Sequence, residues 1–271
     1  MTDPHHGEAP VPTFPTSLGT SDADSITLLG RDLSAELIGH IAFGDLAYRL
    51  ITLHAPTPGQ LRLFEAVLVA LADHGFTPTA IAARLTYYSA PDALQGALAA
   101  GLLGGGSRFL GVTEDTGRFL AEVLASADDP LPDSVDGWDA LARDAVRRQR
   151  AAGRFVPGLG HPVHKHGDPR VPVIQQIADD EGVAGPHLAL FAAIGRVNGE
   201  VLGRRLPLNG AGVCGAALAD LGLPADMQRG VALLARCAGL LGQLAEEMRT
   251  PIGERVYTTV DRNARYLPPD E

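Results

Sequence analysis

The chain is organised around the stretch Val156-Pro-Gly-Leu-Gly-His161-Pro-Val-His164-Lys165-His166-Gly-Asp168-Pro-Arg170. Its glycines allow sharp bends and let a ligand approach the backbone closely, while its prolines keep the segment out of a regular helix. The imidazole of His161 exchanges protons near neutral pH, and the guanidinium of Arg170 offers a planar fork of donors that matches a carboxylate. The stretch therefore predicts a rigid loop that presents a proton-transfer group and an anion-binding group to a small acidic molecule.

Most of the remaining chain carries apolar residues at helical spacing. The pattern predicts helices over residues 33–53, 58–74, 78–85, 90–103, 109–124, 138–152, 171–181, 187–203, 211–220 and 224–248. The second helix has the clearest start, because Thr57 is followed by Pro58 and Gln60, the signature of a capping box. Ser89 is expected to cap the helix that follows residue 89. Residues 25–32 carry a weak strand signal and the tail from Thr250 is irregular, so an all-α fold is predicted.

The composition of the chain excludes some classes of function. With 45% hydrophobic residues among 271, it is long enough for a sizeable core, while 32 acidic against 22 basic residues argue against duplex binding. There is no apolar run of membrane-spanning length and no recognisable secretory signal at the N-terminus. Two cysteines, Cys214 and Cys237, predict reduced thiols. We expect a cytoplasmic protein with no membrane or nucleic-acid partner.

Four segments, taken in order, point to a known family. They are Ala72-Asp-His74-Gly75, the glycine-rich turn Ala99-Ala-Gly-Leu-Leu-Gly-Gly-Gly-Ser-Arg-Phe109, the central Gly158-to-Arg170 loop, and Leu208-Asn-Gly-Ala-Gly212. The central loop resembles the motif Gly-Phe-Gly-His-Arg-Val-Tyr-Lys…Asp-Pro-Arg, and the last segment resembles Asn-Val-Asp. On these residues the chain resembles the citrate synthase superfamily, especially its small citryl-CoA lyase-type members and the C-terminal part of ATP-citrate lyase.

The resemblance implies an all-α, multi-helical fold with a large domain and a smaller mobile domain, assembled as a homodimer. The prolines and small polar residues at the N-terminus predict that residues 1–24 form a flexible arm. Carried onto this chain, residues 25–109 and 225–271 form the large helical domain. Residues 110–224 form the small helical domain that carries the Gly-x-Gly-His loop.

The resemblance also implies a role for each matched residue. His161 is the catalytic residue, facing the reacting carbon and moving its proton, and His74 hydrogen-bonds the oxaloacetate end of the substrate. Arg170 binds a carboxylate, and Arg255 is a second carboxylate-binding candidate on weaker grounds. Coenzyme A is expected to lie along the backbone of Pro157, Gly158, Leu159 and Gly160.

Two catalytic positions depart from the family pattern. Gly104 aligns with the histidine that stabilises the thioester enolate, and Ala211 aligns with the aspartate that removes the acyl proton. Neither side chain transfers a proton, and losing one positioned acid or base typically costs about 10²–10⁴-fold in rate. Cleavage needs the missing base less than synthesis does if His161 accepts the hydroxyl proton. The possible substitutes are Asp168, His164, Tyr87, Ser107 and Asn209.

The sequence therefore predicts an enzyme that makes or cleaves a C–C bond between an acyl-CoA and a 2-oxo acid, with no metal or redox cofactor beyond the CoA thioester substrate. Two alternatives stay open: a CoA-thioester-binding protein that has lost catalysis, and an enzyme for a bulkier acyl-CoA or keto acid. His161, His164 and His166, or the His5-His6 pair, are weaker candidates for a metal site.

Overall fold

The computed structural model describes residues 13–161 and 163–269. The chain divides into two compact units, one ending at Pro56 and one beginning at Thr57. Residues 1–12 of the predicted arm, including the His5-His6 pair, lie outside the described residues. The predicted division of the helical part into a large and a small domain stays a prediction.

The first unit contains a small antiparallel sheet, β1 (Gly19–Ser21), β2 (Ile26–Leu28) and β3 (Arg31–Asp32), in the order β1-β2-β3. β2 and β3 confirm the strand signal, and β1 lies within the range predicted as an arm. A π-helical turn, Leu33–Leu37, and helix α1, Phe43–Thr52, follow. The prediction of one helix over 33–53 is wrong, because Gly39 adopts the left-handed φ of +81° between the two.

The second unit is built from helices, which confirms the all-α prediction. Its helices are α2 (Pro58–Ala72), α3 (Pro78–Ser89), α4 (Leu94–Leu103), α5 (Val112–Ala125), α6 (Val135–Ala151), α7 (Arg170–Asp180), α8 (Pro186–Leu202), α9 (Gly210–Asp220), α10 (Ala225–Arg249) and α11 (Gly253–Arg262). Across the described residues, no helix combines the length and the apolar character needed to cross a membrane.

Helix boundaries follow local hydrogen bonding where the sequence supplies a cap. Thr57 Oγ1 accepts from the Gln60 amide at 3.2 Å and Gln60 Oε1 accepts from the Thr57 amide at 2.9 Å, so the predicted capping box is confirmed. The expected cap at Ser89 is wrong, because α3 continues through that residue. The tail is also not wholly irregular: the buried carboxylate of Glu247 accepts from the amides of Ile252 and Gly253 at the start of α11.

Helix α9 lies in the centre of the second unit. Its residues Val213, Cys214, Ala216, Ala217 and Leu218 are fully buried, and it packs against α2, α5, α7 and α8. Small side chains let neighbouring backbones come very close to this helix. α9 is therefore the scaffold that fixes the groups near its N-terminus.

Candidate active site

A cavity of about 760 Å³ opens in the second unit, beside the N-terminus of α9. Its volume suits a small-molecule ligand. Its wall brings together seven of the eight predicted site residues: His74, Pro157, Gly158, Leu159, Gly160, His161 and Arg170. The eighth, Arg255, is exposed on α11 and does not line this cavity. His161 and Arg170 both line this cavity, whereas their roles remain predictions.

The central loop is held against the start of α9 by backbone contacts. The Asn209 amide donates to the Gly158 carbonyl at 2.9 Å, the Gly160 amide donates to the Pro207 carbonyl at 2.7 Å, and Asn209 Nδ2 donates to the Gly160 carbonyl at 2.9 Å. Gly158 has a φ of +80°, and a Cβ on Gly212 would lie 2.6 Å from the Gly158 Cα. Glycine at both positions lets loop and helix touch, which makes the loop rigid.

Asp168 links the central loop to the start of α9. Its side chain is fully buried and accepts from Arg170 Nε at 3.0 Å, from Arg170 Nη2 at 2.7 Å and from the Gly210 amide at 2.7 Å. Burial alone would raise the pKa of Asp168, but these hydrogen bonds outweigh it and hold that pKa well below its usual range. Arg170 Nη1 also donates to the Ala70 carbonyl at 3.0 Å. Arg170 is thus bound to its own chain as well as facing the cavity.

His161 has a defined hydrogen-bonding state. Its Nδ1 accepts from the backbone amides of Val163 and His164 at 3.1 and 3.0 Å, so the neutral ring carries its proton on Nε2. Burial lowers the pKa of His161, the nearby His164 lowers it further, and Asp168 opposes both. The side chain is 11% exposed. It therefore faces the cavity as a neutral imidazole with an N–H donor.

Three imidazoles gather at this point. The ring centroids of His161 and His164 are 4.4 Å apart, and that of His74 lies 5.3 Å from the first and 5.7 Å from the second. The metal site considered from the sequence comprised His161, His164 and His166. In the structure, His74 lies with His161 and His164 instead, and His166 is exposed. The spacing would suit a cation, but a proton on Nε2 of His161 opposes coordination through that atom. Hydrogen bonding to a substrate suits this donor set better.

Arg236 is a cavity residue that the sequence interpretation missed. It is 6% exposed on α10 and lines the cavity, with Nε and Nη2 donating to the Leu71 carbonyl at 3.3 and 3.2 Å and Nη1 donating to Thr77 Oγ1 at 3.4 Å. Burial lowers its pKa, and Asp73 opposes this. Two N–H donors remain, which suits a ligand carboxylate. The sequence feature that could have pointed to this residue is an arginine within the otherwise apolar stretch 231–241.

The two atypical positions lie in different surroundings. Ala211 lines the cavity, so a methyl group stands where the family pattern has a carboxylate. Gly104 does not line it, and a Cβ there would meet Thr79 Cγ2 at 3.1 Å. The cavity-facing part of the glycine-rich turn begins at Ser107.

The five residues predicted as substitutes for the missing catalytic groups differ in their contacts. Asp168 is locked in its ion pair, and Asn209 caps α9 through the Gly212 amide at 2.8 Å. Tyr87 packs against the apolar cluster shared by α3, α4 and α10 and does not line the cavity. His164 packs on His161, and Ser107 lines the cavity wall. None of the five places a free carboxylate in the cavity.

The family model for the citrate synthase C-terminal domain matches residues 26–258. The chain belongs to the citrate synthase family. It is 28% identical over 228 residues to the citrate synthase of Deinococcus radiodurans, covering 80% of this chain and 55% of that protein. It is 27% identical over 269 residues to 2-methylcitrate synthase 1 of Corynebacterium glutamicum, covering 87% of this chain and 65% of that one. This family member therefore spans less than two thirds of these curated relatives.

Solved structures agree on the fold of this family member. The citryl-CoA lyase of Hydrogenobacter thermophilus superposes with a TM-score of 0.81 at 28% identity, covering 95% of this chain and 96% of that one. An ATP citrate lyase from Methanothrix soehngenii, solved with citrate and coenzyme A, superposes with a TM-score of 0.76 at 20% identity. That alignment covers 97% of this chain and 43% of the lyase.

Proposed function

We propose that this protein is an enzyme that makes or cleaves the C–C bond between an acyl-CoA, such as acetyl-CoA, and a 2-oxo acid, such as oxaloacetate. The observation that carries the proposal is the cavity in which His74, His161 and Arg236 meet the glycine loop of a citrate synthase family chain. The near-complete mutual coverage with a citryl-CoA lyase supports the same chemistry. The alternative of a purely binding protein is less favoured, because His161, the residue predicted to move the proton, is retained in the cavity wall.

Different lining residues of this cavity suit the acyl-CoA and the 2-oxo acid. The backbone of residues 157–160 lines the cavity, where coenzyme A can lie against it, and the apolar side chains Phe76, Phe109 and Phe155 also line the cavity. Arg236 offers its two remaining donors to a carboxylate of the acid. Nε2–H of His161 is positioned to donate to the carbonyl or alkoxide oxygen of the acid, which stabilises negative charge there. The hydrogen-bonding state supports this donor role for His161 over the base role predicted from the sequence.

We propose cleavage as the favoured direction, because this chain and a citryl-CoA lyase cover 95% and 96% of each other. The similarity to a 2-methylcitrate synthase also makes propionyl-CoA a substrate candidate, since Ala211 leaves room in the wall. Coenzyme A enters as part of the substrate and not as a resident cofactor. A homodimer in the cytoplasm is proposed as well, and sedimentation equilibrium of the purified protein tests the dimer.

The test is a turnover assay in both directions. Purified protein is incubated with citryl-CoA, and separately with oxaloacetate plus acetyl-CoA or propionyl-CoA, and products are followed by mass spectrometry. Turnover that is abolished in His161→Ala supports the proposal. Calorimetric binding of coenzyme A without turnover in any arm would support the binding protein instead. Efficient condensation with poor cleavage would overturn the favoured direction.

A further inference from the structure

One carboxylate lines the cavity among the described residues, and it belongs to Asp115. We propose that Asp115 is the acid–base residue that exchanges the proton on the acyl α-carbon. This inference rests on the proposed function and names the residue that replaces the missing base. It assigns the role to a position on α5, away from the loop and the α9 segment that carry the family motifs.

The neighbouring acids are excluded by their contacts. Asp168 is fully buried and already accepts from Arg170 and Gly210. Glu114, the residue before Asp115, forms ion pairs with Arg118 at 2.9 Å and with Arg229 at 2.8 Å. Neither carboxylate lines the cavity, and both have their lone pairs engaged.

Asp115, in contrast to Asp168 and Glu114, lines the cavity and has few contacts with its own chain. Its closest cation is Arg229 Nη2 at 3.9 Å, and its side chain accepts no hydrogen bond from the part of the protein that the structure describes. It lies in the first turn of α5. The side chain is 44% exposed at the cavity wall. Its carboxylate oxygens are therefore free to contact a ligand in the cavity.

The step balances with water as the further proton donor and acceptor. In synthesis the Asp115 carboxylate takes one proton from the acyl α-carbon, which leaves an enolate and a carboxylic acid. The enolate carbon then forms a bond to the carbonyl carbon of the 2-oxo acid, whose oxygen receives the electron pair and then a proton from water. In cleavage, water takes the proton of the hydroxyl group, whose oxygen becomes the carbonyl oxygen as the C–C bond breaks and its electron pair passes to the acyl α-carbon. Asp115 starts this direction as the carboxylic acid and gives its proton to the enolate.

The experiment isolates this proton transfer from the rest of the reaction. Acetyl-CoA is incubated with the enzyme in deuterated water together with malate, a 2-hydroxy acid that fills the acid site without reacting. Deuterium entering the acetyl group is measured by mass spectrometry for the wild type, Asp115→Asn and Glu114→Gln. Coenzyme A affinity by calorimetry and the melting temperature are measured for all three proteins.

We expect Asp115→Asn to lose at least about 100-fold in exchange rate and in kcat, with coenzyme A affinity and melting temperature close to the wild type. Glu114→Gln should keep its exchange rate even where it loses stability. Unchanged exchange in Asp115→Asn, or a loss confined to coenzyme A affinity, would overturn the inference while leaving the proposed function intact. A wild type that neither exchanges nor turns over would overturn both.

Discussion

The guanidinium of Arg170 is joined to the carboxylate of Asp168 by two parallel contacts, Nε to Oδ1 at 3.0 Å and Nη2 to Oδ2 at 2.7 Å. The residues are two positions apart, so the pair forms at the turn that enters α7. Asp168 also accepts from the Gly210 amide, which ties the loop to α9. The residue predicted to bind substrate therefore also holds the cavity wall together.

We expect Asp168→Asn to lower the free energy of unfolding by about 3 kcal/mol, because it leaves Arg170 without its carboxylate in a largely buried place. Denaturant unfolding measures this, with Asp180→Asn as the control, since Asp180 lies at the exposed end of the same helix. A loss no larger than that of the control would contradict the structural role of the pair.

The pH dependence of the same variant follows from the lowered pKa of Asp168. Its ionised form is stabilised in the fold, so the contribution is present above the ordinary carboxyl pKa and is lost as the pH falls below it. The difference in unfolding free energy between wild type and Asp168→Asn should shrink as the pH is lowered from about 5 towards 2. A difference that stays constant over this range would contradict the assignment.

Arg236 gives a prediction about binding of the 2-oxo acid. Arg236→Lys keeps the charge but removes the planar fork, so the KM for the 2-oxo acid should rise about 10–100-fold, the equivalent of one charge-assisted hydrogen bond. The KM for the acyl-CoA should change little. Arg249→Lys, at the exposed end of the same helix, is the matched control. Equal effects on both substrates would argue that Arg236 only supports the fold.

Much of the fold was predictable, because its determinants are local. The capping box at Thr57 and the helical spacing of apolar residues need only a few consecutive positions to be recognised. The clustering of His74 with the central loop was predictable only through the family resemblance. Nothing local brings together residues that far apart in the chain.

What the sequence did not predict depends on tertiary contacts. Helix α11 begins where Glu247 of the preceding helix accepts two backbone amides, and Glu247 is itself paired with buried Arg84 at 3.1 Å. The positions of Arg236 and Asp115 in the cavity wall likewise depend on how α10 and α5 pack. Helical periodicity identifies the buried side of each helix but not the cavity that the side chain faces.

Gly212 gives a prediction about the approach of loop and helix. In Gly212→Ala the new Cβ would lie 2.6 Å from the Gly158 Cα and 2.7 Å from the Phe191 ring, so the loop must move. We expect a loss of about 1–3 kcal/mol in unfolding free energy together with weaker coenzyme A binding. Gly242→Ala is the control, because its Cβ meets nothing within 4 Å and the change should stabilise α10 by about 0.5–1 kcal/mol.

His161 gives a prediction about protonation. Because burial and His164 lower its pKa, the neutral ring with its Nε2–H donor persists below the pH at which an ordinary histidine becomes charged. Heteronuclear NMR of the ring nitrogens across pH 4–8, the range spanning the ordinary histidine pKa of about 6.5, measures this, with the signal assigned from its absence in His161→Gln. Removing the neighbouring ring in His164→Ala should raise the midpoint, since one of the influences that lower the pKa of His161 is gone.

The same ring state predicts which replacement of His161 is tolerated. If the role is donation of a hydrogen bond, His161→Gln keeps a donor and should retain more activity than His161→Ala. If the role is to accept the hydroxyl proton, both replacements remove the base and should lose activity equally. A midpoint at or above that of an ordinary histidine, together with equal losses in the two variants, would show that His161 acts as the base, and the donor role would have to be abandoned.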